Sequence, residues 1–157
     1  MPLQVHDFDL RRADVKLRMP FRYGIATMTE GPLVFVRLRV AVDGAVVTGV
    51  SSDLLPPKWF TKVADRSIDA EIAEMVQVIR RAGETAVGME GKTPFGLWLD
   101  LHAAQEQWAV DEGIPPLLSN FGVSLVERAL LDAFCRASGR SFGRLLRTSQ
   151  LLSLIHI

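Results

Sequence analysis

The chain has 157 residues, 48% hydrophobic and 23% charged, a balance that fits about one soluble globular domain and excludes a disordered chain. Eighteen basic and eighteen acidic side chains cancel, so no overall field recruits nucleic acid or an anionic membrane. No apolar run approaches the roughly 18 residues of a membrane span, residues 1–7 lack the basic and apolar regions of a signal peptide, and the single Cys135 permits no internal disulfide. A reducing, cytoplasmic setting is the expectation from these features.

Leu3 to Leu17 reads as one long extended segment and Leu33 to Val42 as a second. The second has a clean two-residue period: Val34, Val36, Leu38, Val40 and Val42 point to a core, while Phe35, Arg37, Arg39 and Ala41 point away. Asp43-Gly44 then predicts a tight hairpin turn, because a type I′ turn needs positive φ at both central residues. The third strand is expected over Ala45 to Ser52. Two segments read as loops of unusual composition. Pro20 to Pro32 carries Phe21, Tyr23, Ile25 and Met28; Ser51 to Phe60 carries Leu54, Leu55, Trp59 and two prolines. Loops so apolar need something to pack on.

Helical periodicity follows. Ser67 is a natural N-cap for a helix whose apolar positions are Ile68, Ile72, Met75, Val76 and Ile79, with Gly83 as its stop. Thr93-Pro94 opens a second helix, with Thr as the cap and Pro at the first helical position; its stripe is Leu97, Trp98, Leu101, Ala104 and Trp108, and Gly113 to Pro116 ends it. A third helix, Val123 to Ala137, has a very wide apolar face that expects cover on most sides. Gly139 ends it, and Ser141 caps a short helix through Leu146. The predicted fold class is α+β: a three-stranded antiparallel meander followed by a small helical bundle.

Titratable groups offer little chemistry. His102 and Glu106 lie four apart on the second helix, but two ligands make an incomplete metal site and a solvated helix face accounts for them. Asp7 and Asp9 share a strand face with no partner base, as on an exposed strand edge. Arg128, Asp132 and Arg136 form a charged line whose simplest role is helix-stabilising pairs at spacing four. Cys135 belongs on a mostly apolar face, as a buried thiol rather than a reactive one, and Trp98 and Trp108 belong in the core. The last helix pair is not read as a DNA-binding helix-turn-helix, given zero net charge and the apolar third helix.

Two stretches carry a resemblance: Pro20 to Val40, and Gly122-Val123-Ser124-Leu125-Val126-Glu127-Arg128-Ala129-Leu130-Leu131-Asp132-Ala133 with Gly139 to Leu146 behind it. In their order and spacing they resemble the N-terminal capping domain of the enolase superfamily, in its mandelate racemase/muconate lactonizing enzyme branch. The resemblance implies a capping domain over residues 1–147, with the catalytic (β/α) barrel absent; residues 148–157 depart from the family pattern and read as a foreign tail. It implies a parent isomerase or lyase that abstracts a proton α to a carboxylate. That enzyme would use Mg²⁺ held by residues outside this chain, and a homo-oligomer is expected when it is complete. This chain would supply no catalytic or metal-binding residue. Its partners would be its own barrel and a small carboxylate substrate. Phe21, Tyr23, Ile25 and Met28 from the first loop, and Ser52, Asp53, Leu54 and Trp59 from the second, are the candidate substrate-binding residues, with Tyr23 and Asp53 as polar handles. The alternative is a non-catalytic protein-interaction domain.

Overall fold

The computed structural model describes residues 1–24, 26–60, 65–148, 150 and 151. Its elements run β1 (Leu3–Tyr23), β2 (Ala26–Val42), β3 (Ala45–Leu54), α1 (Ile68–Ala86), β4 (Glu90–Gly91), α2 (Pro94–Asp111), α3 (Pro116–Ser138) and α4 (Phe142–Arg147). The sheet is antiparallel with strand order β3-β2-β1-β4. The α+β class holds, and the meander gains a fourth strand of two residues, pairing Leu3 with Gly91 and Gln4 with Glu90.

The alternation in β2 does what its side chains require. Val34, Val36, Leu38, Val40 and Val42 are all buried, and Arg37 and Arg39 are exposed. Asp43 (φ 53°) and Gly44 (φ 85°) both take the left-handed conformation of the expected turn. One correction concerns the first loop. Residues 20–32 are not a free loop: β1 and β2 continue as a two-stranded arm, with Phe21 opposite Met28 and Tyr23 opposite Ala26. A register irregularity between Lys16 and Phe21 absorbs Pro20, which has no N–H to give to a regular ladder.

Helix α3 is the central beam. It packs on β3 and β2 and takes α1 and α2 on its other flank. Leu125, Val126, Ala129, Leu130, Ala133 and Phe134 are buried there, while Leu131 and Cys135 are only partly covered. Small residues let the layers close: Gly49 of β3 lies under the Ala129 and Ala133 backbone, and Gly122 of α3 lies on the Val78 carbonyl of α1. Ser51 Oγ, also buried on β3, donates to the Leu125 carbonyl at 2.6 Å.

The caps are as expected. Ser67 Oγ accepts from Ala70 N at 3.2 Å, and Thr93 Oγ1 accepts from Gly96 N at 3.1 Å with Pro94 in the first turn. Gly83 does not stop α1. The helix runs on to Ala86, and Gly83 is the spot where the Phe8 ring lies against it. In α2 the core position after Leu101 is held by Gln105, whose Nε2 donates to the Val78 carbonyl, rather than by Ala104. Trp98 and Trp108 are partly buried against the core. Helix α3 starts two turns earlier than Val123, because Pro116 opens it rather than closing α2; a first-turn proline loses no helical hydrogen bond. Beyond α4, Gln150 N donates to the Leu145 carbonyl and Leu151 is buried. Among the described residues, no helix is long and apolar enough to cross a membrane.

Candidate functional site

The arm tip of β1–β2, the segment after β3 and the first turns of α3 converge on a groove of about 570 Å³. Phe21 and Met28 form its arm side, and Asp53, Leu54, Pro56, Trp59 and Phe60 its second side. Leu117, Asn120, Phe121 and Ser124 of α3 form its third. Met28 is 5% exposed and anchors the wall, whereas Phe21 and Trp59 are each 46% exposed and Leu117 is 62% exposed. This much open aromatic and aliphatic surface in one concavity is what apolar ligands and partners use.

Five candidate residues, Phe21, Met28, Asp53, Leu54 and Trp59, line this groove. Tyr23 stands behind it. Its ring lies between Phe21 (centroids 5.1 Å apart) and Trp59 (5.4 Å), and its hydroxyl donates to the Pro57 carbonyl at 2.7 Å. Burial, and secondarily the nearby Glu71 charge, push the Tyr23 phenol above its ordinary range, so it stays a neutral donor. Ser52 is exposed on β3, and its carbonyl accepts from Arg128 Nη1 at 3.3 Å rather than facing the groove. Ile25 lies outside the described residues.

Asp53 is committed within the protein. Its Oδ2 accepts from Arg128 Nη2 at 2.8 Å and its Oδ1 from Leu54 N at 2.9 Å. This revises the charged line on α3. Arg136 pairs with Asp132 at spacing four as expected, but Arg128 reaches across to β3 instead. Asp132 also accepts from Val50 N at 2.9 Å. β3 is an edge strand, so this carboxylate satisfies a backbone donor that the sheet leaves open.

The α3 side of the groove was not among the sequence candidates, nor were Pro56 and Phe60. Phe60 and Phe121 meet with centroids 4.8 Å apart. The signal was the Leu117–Phe121 pair, one helical turn apart directly after Pro115-Pro116, and it becomes legible once Pro116 is read as a first-turn residue.

Other candidates stay apart from the groove. His102 lies against Trp98 on α2 (5.1 Å), with Glu106 exposed one turn on. Asp9 pairs with Arg11 and Arg37, and the hydrogen bond from Arg11 holds its carboxyl below the usual range. Among the described residues no group of three His, Cys, Asp or Glu could hold a metal ion. Among the described residues, the groove lining offers shape and apolar contact, with the exposed Asn120 at its edge, and no convergent acid–base set.

No family model and no curated protein matches the chain in sequence. Solved structures match it in shape. An enolase from Bradyrhizobium, complexed with magnesium and mandelic acid, superposes with a TM-score of 0.63 at 20% identity, over 94% of this chain and 35% of that one. This chain has an enolase N-terminal-domain-like fold. A mandelate racemase/muconate lactonizing protein from Herpetosiphon aurantiacus matches at TM-score 0.60 and 16% identity, over 86% of this chain and 32% of its own. An isomerase from Streptomyces coelicolor A3(2) matches at TM-score 0.60 and 23% identity, over 92% and 31%. The chain thus spans about a third of the length of the solved structures it matches.

Proposed function

We propose that this chain is the substrate-capping domain of a metal-dependent enolase-superfamily enzyme, an isomerase or lyase that removes the proton α to a carboxylate. The observation that carries the reading is the groove: in a domain of this fold, the arm tip and the segment after β3 present exposed aromatic side chains to one concavity. The domain supplies the wall against which the apolar part of a small carboxylate lies. The general base and the ligands to the divalent ion, Mg²⁺ in this reading, come from a barrel outside the sequence described. In this reading no residue of this chain holds that ion. A complete enzyme of this kind is a cytoplasmic homo-oligomer, a setting in which the lone Cys135 stays reduced.

The decisive experiment exchanges residues 21–28 or 52–59 for those of a relative, in the complete enzyme. Shape comes from this domain and the base from the barrel, so substrate preference shifts while α-proton exchange survives. Loss of exchange with every substrate, in a protein that still folds, overturns the reading. Titration calorimetry of the isolated chain with Mg²⁺ is expected to show no stoichiometric site, and a one-to-one isotherm refutes that assignment.

A second reading, a protein-interaction domain, draws on the outer side of α3. There Leu131 and Cys135 border a shallow hollow beside Phe142, which is 48% exposed. The DNA that follows this coding region decides: alternating strands and helices with metal-spaced carboxylates favour the enzyme, and an early stop favours the interaction domain.

A further inference from the structure

Residues 55–60, which follow β3, meet a buried acid of α1. Glu71, in the first turns of α1, is 3% exposed, and its Oε2 accepts from the backbone N–H of Lys58 at 2.6 Å. Lys58 Nζ lies 2.9 Å from Glu71 Oε1, close enough for an ion pair though not aligned as a hydrogen bond, and donates to the Arg66 carbonyl at 2.9 Å. Lys58 itself has φ 63°, the left-handed conformation that a side chain with a Cβ disfavours. Its neighbours Trp59 and Phe60 are groove residues. The hollow between this segment and α1 measures only about 10 Å³, at the lower limit of the space that one water needs.

We propose that Glu71 is a positioning residue of the groove: by gripping both ends of Lys58 it holds that residue left-handed, and so sets the direction in which Trp59 projects. Strained backbone of this kind persists only where the surroundings over-determine it, and Glu71 meets Lys58 at both its N–H and its ammonium. The effect reaches the arm as well. The Tyr23 hydroxyl bonds the Pro57 carbonyl and the Tyr23 ring packs on Trp59, so the arm tip and the segment after β3 are registered to each other through the residues that Glu71 fixes. Specificity in the groove would then depend on a carboxylate that lines none of it. This last consequence rests on the substrate-facing reading above; the latch itself does not.

The latch can be tested in the chain as it stands. The protein has three tryptophans, so 5-fluorotryptophan labelling gives three ¹⁹F resonances, with that of Trp59 assigned by its loss in Trp59→Phe. Glu71→Ala is expected to move the Trp59 resonance toward that of the free amino acid, while Trp98 and Trp108 keep their positions. Glu71→Gln, which still accepts from the Lys58 N–H, is expected to leave Trp59 close to its original position. If Glu71→Ala does not fold, Glu71→Ala combined with Lys58→Gly gives the readout: glycine takes φ 63° without strain, which favours folding, and with the carboxylate gone Trp59 gains mobility and its line changes alone. The proposal is overturned if Trp59 does not move, if all three resonances move together, or if Gln behaves as Ala. In a complete enzyme, Glu71→Ala should raise KM with little change in kcat. An unchanged KM despite a moved Trp59 resonance would refute the substrate-facing reading and leave the latch intact.

Discussion

Gly49→Ala tests how tightly α3 is seated on the sheet. Gly49 is buried on β3, and a Cβ built there would stand 2.6 Å from Ala133 N and 2.8 Å from Ala133 Cβ, and closer still to the Ala129 carbonyl oxygen. Ordinary contact begins near 3.4 Å and distances below 3.0 Å are essentially never seen, so the 2.6 Å to Ala133 N must open before the side chain fits. The obstructing atoms belong mainly to a helix backbone, not to the end of a pliable side chain, so the beam must shift as a unit. Overpacking of this sort costs about 1–3 kcal/mol, and the backbone clash argues for the upper end. Replacing a strand glycine returns roughly 0.5–1 kcal/mol of that. A net loss of about 2–2.5 kcal/mol corresponds to a Tm lowered by about 4–10 °C in a domain of this size.

Thermal unfolding followed by circular dichroism, with urea titration alongside, measures the loss. Gly143→Ala is the control. It lies in α4, where the added Cβ would meet nothing nearer than Arg147 Nη1 at 3.7 Å, and alanine there should stabilise by about 0.5–1 kcal/mol. If Gly49→Ala melts within about 2 °C of the parent, the closeness of α3 to β3 is not a constraint and the central-beam account of the fold fails.

Two further substitutions separate surface from interior electrostatics. Arg128→Ala breaks an ion pair whose side chains are 43% and 41% exposed, so it should cost no more than about 1 kcal/mol, and a larger drop in the urea midpoint contradicts this. Burial raises the Glu127 carboxyl above its ordinary value of 4.5, with the Arg128 charge opposing it. The folded state therefore holds that proton more tightly than the unfolded state, and stability from this group falls as pH rises from 4.5 through the raised folded value. Glu127→Gln should flatten that part of the stability–pH curve and melt no lower than the parent at neutral pH; an unchanged slope would show that Glu127 is not the group responsible.

Most of the frame was legible in the sequence because local rules and the global fold agree there. The β2 alternation, the Asp43-Gly44 turn and the Ser67 and Thr93 caps each stand in the structure as local chemistry dictates. The arm was missed for a physical reason. From Asp7 to Tyr23 almost every β1 side chain is exposed or only partly covered, so no buried face imposes a two-residue alternation, and Pro20 and Pro32 argued for a loop. Pro32 keeps its place because it presents its carbonyl to Leu55 N at 3.0 Å and needs no donor of its own. β4 is two residues long, too short for any pattern. The α3 wall of the groove was hidden because Pro115-Pro116 reads equally well as the end of one helix or the start of the next. Asp53 was read as a free handle because its partner, Arg128, lies 75 residues away and only the packing of α3 on β3 brings them together.

The groove and its frame answer to different constraints. The residues that most openly face the concavity, Phe21, Trp59 and Leu117, are 46%, 46% and 62% exposed, so exchanging them forfeits only part of the ~1.5–3 kcal/mol that full burial of such side chains is worth. The residues that hold those walls in place cannot be exchanged so cheaply. Gly49 admits no side chain without displacing α3, and Ser51 and Glu71 are buried and bonded. Removing a partner from a buried bond leaves a desolvated polar group behind, a cost of about 1–3 kcal/mol that a change in the exposed wall does not incur. The shape of the groove is thus free to vary while the scaffold stays fixed.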